Sequence, residues 1–266
     1  DKVYSYFGSL VPGGSQVFPG YRPSNEVDQS RNSYAGYIDL EADISDSFLL
    51  TAAFRYENYS DFGDTFNWKI ASRVKASDNF TIRAAASTGF RAPDLHQIYF
   101  NATSTLFING IPNEVGTFGN TSRLAQLLGI PRLKEETSDN FSLGFTAKLP
   151  DVGMKITVDA YIVNVDDRVG QTRNYKPPGD TPPSEVDIIF ADAAAGQAKF
   201  FTNGYSTESS GIDIVIDHNI GIGEGNLHNS LSASFSKTDV TNVKSILGVP
   251  ILDDRAIGFI ESALPN

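Results

Sequence analysis

Eight long segments of the sequence alternate apolar and polar residues with a period of two. Successive side chains of a β-strand point to opposite faces, so each segment is predicted to be a strand with one apolar and one polar face. The apolar faces run from Tyr34 to Ile44, from Phe48 to Tyr56, from Phe66 to Ala76, from Phe80 to Ala86, from Phe141 to Leu149, from Ile156 to Ile162, from Ile212 to Ile216 and from Leu227 to Phe235. The pattern predicts an all-β fold, an antiparallel up-and-down meander of about eight or nine long strands.

The length of these segments separates two architectures that alternation alone does not distinguish. A soluble β-sandwich and a membrane β-barrel both have one apolar face per strand. Strands of globular proteins average about 5–6 residues, whereas about 9–11 tilted residues are needed to cross a bilayer. Counted with the polar residues at their ends, five of the eight segments reach ten residues, and this length favours part of a larger transmembrane β-barrel.

The connections alternate between short turns and long loops. The short turns are Ser45-Asp46-Ser47, Ser77-Asp78-Asn79, Pro150 to Gly153 and Gly221 to Asn226. Between them lie a loop over residues 60–64, long loops over residues 92–135 and 166–199, and a loop that begins near Asp239. Short turns at one end and long loops at the other are typical of outer-membrane barrels, whereas structureless loops this long are uncommon in a compact sandwich.

Local signals predict some structure outside the strands. Residues 120–129 predict a short helix with Asn120 or Thr121 as the N-cap, ended by Gly129 and a following proline. Residues 175–184 contain two proline pairs and are expected to be extended and exposed, because proline cannot donate to a ladder. Residues 261–266 look like the middle of a hairpin sequence, and the chain begins at Asp1 rather than Met. We therefore expect it to be part of a longer protein.

Aromatic residues concentrate near the two ends of the first predicted strands. Phe48 and Phe80 lie beside short turns, and a second group lies toward the loop end. The members of the second group are Phe54, Tyr56, Tyr59, Phe62, Phe66 and Trp68. Outer-membrane barrels place aromatic girdles at both membrane–water interfaces, although aromatic residues are also simply good strand formers. We expect two girdles.

The composition argues against several classes of function. A net charge of −11 argues against nucleic-acid binding through a basic surface. The chain has no cysteine, which excludes disulfides and thiolate sites. His218 and His228 flank one turn, where they could face each other, but no third metal ligand has suitable spacing. Adjacent carboxylates at 166–167 and 253–254 are expected to be solvated loop charge, and no nucleophile or phosphate-loop motif occurs. The sequence predicts no catalytic residue, no metal site and no cofactor.

Several residue clusters resemble those of one family. They are Phe18-Pro-Gly-Tyr21, Asp28-Gln-Ser-Arg31, Arg55 to Gly63, Trp68-Lys69 with Arg73, Thr88 to Leu95 with Gln97 and Tyr99, and Leu133 to Asn140. Together they resemble the barrel domain of TonB-dependent outer-membrane receptors, and the Gly-Phe-Arg-Ala-Pro cluster at 89–93 is the most specific. Pro93 cannot join a ladder and disfavours helical geometry at Ala92, so this cluster is also expected to end a strand.

The resemblance implies a receptor in the bacterial outer membrane with a barrel of about 22 strands and an N-terminal plug. It implies a partial barrel over residues 1–266, in which residues 1–31 lead into the first strand and residues 92–135 and 166–199 form extracellular loops. The expected function is active uptake of a siderophore, a glycan or a similar nutrient. The implied partners are the plug domain and remaining strands, the energy-coupling TonB complex through a missing N-terminal region, outer-membrane lipid and a nutrient ligand.

Two sets of residues are candidates for functional roles. The first long loop supplies substrate-binding candidates, namely His96, Gln97, Tyr99 and Phe107, although these residues could instead pack the loop on itself. The polar faces supply lumen-facing candidates, which in a sandwich would be a solvated surface. These are Asp39, Glu41, Arg55, Glu57, Lys69, Arg73 and Arg83.

Two other classes of protein remain open at this point. A soluble β-sandwich that binds carbohydrate or mediates adhesion is the main alternative, and a β-rich surface hydrolase is disfavoured because no catalytic constellation is present. An eight-stranded piece of a barrel would have two unpaired edges and a lipid-facing surface. In isolation it is expected to curve strongly, close on itself or form an oligomer.

Overall fold

The computed structural model describes residues 5, 6, 9, 10, 21, 23–108, 111–193, 195–246 and 248–263. The strands in chain order are β1 Ser5–Tyr6, β2 Ser9–Leu10, β3 Ser33–Ser45, β4 Phe48–Tyr59, β5 Gly63–Ser77, β6 Phe80–Arg91, β7 Ala102–Ile108, β8 Ile111–Thr117, β9 Glu136–Leu149, β10 Met154–Gln171, β11 Gln197–Lys199, β12 Phe201–Ile222, β13 Gly225–Val243, β14 Ser245–Ile246 and β15 Val249–Pro250. The helices are α1 Leu95–Tyr99, α2 Arg123–Leu127, α3 Glu185–Asp192 and α4 Asp254–Ala263, and short 3₁₀ turns cover Pro23–Asn25 and Pro150–Val152.

The long strands form one antiparallel sheet of eight, in the order β13-β12-β10-β9-β6-β5-β4-β3. The predicted meander is therefore confirmed. Its strands span from 12 residues in β4 to 22 residues in β12. The sheet is open, with β3 and β13 at its edges. Closure of the isolated segment on itself, one of the expected outcomes, does not occur among the described residues.

The register brings the apolar residues of neighbouring strands side by side. Leu40 lies opposite Ala52, Ala52 opposite Ile70, and Ile70 opposite Ala86. This apolar face is not covered by a second sheet: the exposed fraction is 59% for Leu40 and 66% for Phe235. A soluble sandwich would bury such a face, so the sandwich interpretation is wrong.

The hydrophobic core lies beyond the ends of the strands, in a region that we call the cap. The cap comprises the described residues within 92–135, 172–200 and 244–263. Its core combines side chains from all three segments, including Leu124, Phe190, Phe200 and Ile246. The ring of Phe118 lies 6.2 Å from that of Phe190 and 6.0 Å from that of Phe200. Full burial of each large side chain contributes about 1.5–3 kcal/mol, so the long loops are held together as a packed unit.

Two predictions for the loops need correction. The helix within 120–129 is capped by Ser122, whose Oγ accepts the Ala125 N–H at 3.2 Å. Asn120 instead bonds with Nδ2 to the Pro131 carbonyl at 2.8 Å and accepts the Leu133 N–H. The segment 166–199, predicted to be a loop, is partly strand, because β10 continues to Gln171 and β11 spans Gln197–Lys199.

The region near the C-terminus also differs from the expectation, and most of the region near the N-terminus is not described. Residues 261–263 end helix α4 rather than lying in a hairpin, and residues 264–266 are outside the described part of the chain. Most of the predicted leading loop 1–31, including Phe18 to Gly20, is likewise outside it. No helix in the described ranges is long and apolar enough to span a membrane.

Candidate functional site

The polar face of the sheet carries an ion pair that crosses a whole strand. Arg83 of β6 and Asp159 of β10 both lie opposite Gly144 of β9. The Arg83 Nε donates to Asp159 Oδ1 at 2.8 Å, Nη2 donates to Oδ2, and Nη1 donates to Thr146 Oγ1 at 3.1 Å. A Cβ at position 144 would lie 2.0 Å from Asp159 Oδ1. The glycine is therefore what allows the pair to meet over β9.

The predicted lumen-facing residues share one face of the sheet but do not form one site. The register places Asp39 opposite Ala53 and Ala53 opposite Lys69, and these lie away from the Arg83 pair. Glu57 is buried, and its carboxylate accepts one hydrogen bond from the Arg55 Nε and another, at 3.0 Å, from the Tyr59 hydroxyl. Their orientation toward a barrel lumen remains a prediction.

Three of the family-like clusters meet at Arg31. Its guanidinium donates to the carboxylate of Asp61 through Nε at 2.9 Å and Nη2 at 2.6 Å, and Nη2 also donates to the Pro93 carbonyl at 2.7 Å. The same guanidinium lies 5.6 Å from the Tyr59 ring centroid and 5.5 Å from that of Phe62. Tyr59 and Phe62 therefore both contact Arg31, and their place in an aromatic girdle stays a prediction.

A buried carboxylate joins the ends of three strands. Glu136, at the start of β9, is 6% exposed. It accepts a bidentate pair of hydrogen bonds from Arg91 at the end of β6, with 3.0 Å from Nε to Oε2. Its Oε1 also accepts the backbone N–H of Val169 in β10 at 2.7 Å. Arg91 belongs to the Gly-Phe-Arg-Ala-Pro cluster, so this cluster ties β6 to β9 and β10.

A β-bulge in β10 changes which side chains face the polar side. The register with β12 passes from Val165 opposite Thr207 to Arg168 opposite Tyr205, so β10 has one extra residue. Asp167 in the bulge has φ of 55°, a conformation that non-glycine residues adopt rarely. Because of the extra residue, Arg168 takes the polar-face position that alternation assigns to residue 167.

Contacts from the cap hold the bulge in place. The Asp167 carboxylate pairs with the Nζ of Lys134, at 2.5 Å, and with that of Lys244. The backbone carbonyl of Asp167 accepts a hydrogen bond from Asn203 Nδ2 at 2.7 Å, and the same amide bonds with the Lys134 backbone. Asp167 is therefore a structural ion-pair centre, which corrects its assignment to solvated loop charge.

Arg168 lies in a cavity of about 530 Å³ beside the bulge. We call it the bulge cavity. Its lining is Phe90, Arg91, Glu136, Thr137, Ser138, Val165, Arg168, Val169 and Tyr205. The Arg168 guanidinium donates from Nη1 to Thr207 Oγ1 at 3.0 Å and lies 5.8 Å from the Tyr205 ring centroid. Two arginines and one glutamate give this lining a net charge of +1.

A second cavity, of about 440 Å³, lies within the cap between the first long loop and α3. We call it the cap cavity. Tyr99 lines it together with neutral amide and hydroxyl side chains and Asp192, and its lining contains no arginine, lysine or histidine. Of the other predicted substrate-binding residues, Gln97 accepts the Asp94 N–H at 3.0 Å as part of a helix capping box, and His96 is exposed. The side chain of Phe107 is outside the described part of the chain.

The capping box of α3 contains a carboxylate with a strongly shifted pKa. The Ser184 hydroxyl donates to Asp187 at 2.6 Å, and backbone N–H groups of Gly179, Asp180 and Ser184 donate to the same carboxylate. These hydrogen bonds, led by that of the Ser184 hydroxyl, lower the pKa of Asp187 to about 2. Nothing else about this turn indicates a ligand, and we interpret it as structural.

The histidines do not form a pair. His218 lies opposite Asn229, and His228 lies opposite Asn219, with 2.6 Å between its Nδ1 and the Asn219 Oδ1. Within the described ranges, no group of three or more metal-ligating side chains is found.

Sequence reasoning missed the residues that build the bulge cavity. The missed signal is a break in alternation: Val163 and Val165 are followed by Arg168 at a spacing of three. Gly144 was also detectable, because an isolated glycine in a strand pattern often marks a close approach.

Comparison with known proteins gives consistent matches. The family model of the TonB dependent receptor-like β-barrel matches residues 2–257. The chain is 27% identical over 120 residues to the iron-regulated outer membrane virulence protein of Vibrio cholerae serotype O1, covering 45% of this chain and 16% of that protein. It is 28% identical over 108 residues to the ferric enterobactin receptor PirA of Pseudomonas aeruginosa, covering 41% and 14%. It is 24% identical over 184 residues to the vitamin B12 transporter BtuB of Vibrio vulnificus, covering 69% and 25%.

Solved structures share the fold at lower identity. The siderophore receptor PirA from Pseudomonas aeruginosa superposes with a TM-score of 0.54 at 17% identity, over 79% of this chain and 37% of that chain. The RagAB peptide transporter gives a TM-score of 0.55 at 12% identity, over 82% and 23%. The chain thus spans at most 25% of the length of these three curated relatives.

Proposed function

The chain belongs to the TonB-dependent receptor-like β-barrel family, and we propose that it forms eight wall strands and part of the extracellular cap of a receptor that imports a siderophore complex or a similar nutrient. Proteins of this family are outer-membrane β-barrels that act as receptors and transporters rather than enzymes. The segments at residues 92–135 and 172–200 are proposed to face the cell exterior, where loops of such barrels are longest.

The uncovered apolar face is the observation that supports the proposal most strongly. Leu143 in the middle of β9 is 60% exposed, and Leu231 of β13 is 65% exposed. Apolar surface gains about 25 cal/mol for each square ångström removed from water. A lipid bilayer supplies the missing cover along the whole band, and the exposed aromatic side chains of Phe54, Tyr56 and Phe66 would form one interfacial girdle.

The polar face is proposed to line the barrel lumen. The Thr65 Oγ1 and Asn67 Nδ2 atoms on this face are buried and have no hydrogen-bond partner among the described residues. Buried polar atoms are normally paired. A plug domain in the lumen would supply partners, and the remaining strands of the same receptor would pair with the open edges at β3 and β13. Energy for uptake would come from the TonB complex acting on the plug. No nucleic acid is proposed as a partner.

The names of the relatives support a siderophore or another large nutrient as the ligand. Two of the matched proteins have iron-related names, the siderophore or ferric enterobactin receptor PirA and the iron-regulated outer membrane virulence protein; one other is called a vitamin B12 transporter and one a peptide transporter. The iron-related names are the most frequent among them, so an iron complex is the first ligand to test.

The test is uptake by cells that express the receptor containing this chain. Iron-starved cells with the gene deleted should lose uptake of radiolabelled iron from at least one siderophore complex, and the intact gene should restore it. Uptake should also stop when the proton gradient is collapsed. Unchanged uptake of every iron, cobalamin, glycan and peptide ligand after deletion would refute the proposal.

A further inference from the structure

We propose that Arg168 is the centre of an anion-binding subsite in the bulge cavity, and that this subsite takes a negatively charged oxygen group of the imported ligand. The inference rests on the proposed uptake function, because it assigns a ligand chemistry to that function.

The first argument is that Arg168 lacks a carboxylate partner. Among the arginines that the structure describes, five pair with a carboxylate: Arg31, Arg55, Arg83, Arg91 and Arg123. Four others are exposed, where water satisfies their donors: Arg73, Arg132, Arg173 and Arg255. Arg168 is half-buried and has no ion pair with a described carboxylate. A partly desolvated guanidinium without a counter-ion is costly, so an anion from outside these residues would stabilise it.

The second argument is the backbone that presents Arg168. Without the extra residue at the bulge, the side chain at this position would point to the apolar face. Bulges often re-aim a side chain beside a functional site. The bulge requires a positive φ at Asp167 and two lysine contacts that hold it, and the arginine on the polar face is its direct consequence.

The third argument is the supply of donors around the cavity. A guanidinium has five N–H donors. Arg168 uses one on Thr207, and Arg91 uses two on Glu136. The remaining donors and the net positive lining suit carboxylate, catecholate or phosphate oxygens, which arginine binds in a planar, bidentate manner. A cavity of about 530 Å³ is within the size range of small-molecule sites.

The cap cavity does not supply the same chemistry. Its lining includes Asp192 and no cationic side chain, so an anionic group would meet repulsion there. Of these two cavities, the charge of the lining favours the bulge cavity for anion recognition, at the point where the cap meets the sheet.

The test uses the receptor that contains this chain, in isolated outer membranes, with two probes of similar size. The anionic probe is iron(III) tris(catecholate), and the uncharged probe is iron(III) tris(hydroxamate). Arg168→Gln should weaken binding of the anionic probe roughly tenfold, as expected for loss of a charged hydrogen bond. It should leave binding of the uncharged probe unchanged. Arg168→Lys keeps the charge and should recover part of the loss.

Arg255→Gln is the matched control, because it removes an exposed arginine of α4 that lines neither cavity. It should bind both probes like the wild type. Equal weakening of both probes in Arg168→Gln would indicate a structural role and overturn the proposal, as would unchanged binding of the anionic probe. If Arg168→Gln has no effect while cells still import either complex, the anion subsite fails and the uptake function stands. If cells import no nutrient ligand through the receptor, the uptake function itself fails.

Discussion

A single methyl group at Gly144 is expected to disturb the ion pair that crosses β9. The added Cβ of Gly144→Ala would lie 2.0 Å from Asp159 Oδ1 and 2.7 Å from the Val158 carbonyl oxygen. Both distances are shorter than any van der Waals contact allows, so the carboxylate must swing away from Arg83 and the two backbones must separate slightly.

Two contributions determine the magnitude. The Arg83 and Asp159 side chains are 40% and 36% exposed, so solvent screens their attraction and its loss costs at most about 1 kcal/mol. Relief of the overlap with the Val158 carbonyl by shifting packed strands costs about 1–3 kcal/mol more. We therefore expect Gly144→Ala to lower the free energy of unfolding by about 1–4 kcal/mol.

The assay is urea unfolding, in lipid vesicles, of the receptor that contains this chain, followed by its β-sheet circular dichroism. Gly36→Ala is the matched control, because Gly36 also lies within a long strand and nothing lies within 4 Å of the position of its added Cβ. In an Asp159→Ala background, Gly144→Ala should cost less, since one of its two overlaps is gone. Equal costs for Gly144→Ala and Gly36→Ala would refute the reasoning.

Three further changes test other parts of the structure. Leu143→Arg should lower stability in vesicles by about 2–4 kcal/mol if this residue faces the bilayer centre, whereas Ser142→Arg on the polar face should cost far less; equal costs would contradict the assignment of faces. Arg31→Lys should lower the free energy of unfolding by about 1–2 kcal/mol, because lysine cannot make the bidentate contact with Asp61, and an unchanged urea midpoint would count against that contact. The pKa of Asp187 is lowered from an ordinary 3.8 to about 2, so its ionised carboxylate stabilises α3 at pH values above about 4, and this stabilisation is lost as the pH falls from about 4 to about 2. Protease resistance of the cap should fall over that pH range, and Asp187→Asn should remove the pH dependence.

The packed cap changes how the long loops contribute to the proposed uptake. Side chains from three separate loop segments share one core, with Leu124, Phe190 and Ile246 each buried. A loop with its own core moves as a unit rather than residue by residue. Recognition of the ligand is therefore expected at the boundary between this unit and the strands, where the bulge cavity lies, more than at single exposed side chains such as His96.

Some of the candidate site was readable from residues alone, and some was not. The clusters around Arg31, Asp61 and Pro93 could be recognised as motifs, but only the fold showed that they contact one another. The substrate-binding role of Gln97 was predicted from residue type, whereas its side chain caps a helix. Residue type does not reveal whether a polar side chain is already used by a neighbouring backbone group.

By itself, the sequence determined the long strands, their two faces and the division into short turns and long loops, because a period of two places the apolar residues of each strand on one face, and a one-residue slip of the pairing register would turn them to the other face. It also determined the family through its motifs. Only the tertiary structure decided three features: the ion pair between Arg83 and Asp159 across Gly144, the packing of the cap core, and the orientation of Arg168 toward the polar face. These depend on the insertion of one residue at a bulge and on side chains more than thirty residues apart in sequence, which local periodicity does not encode.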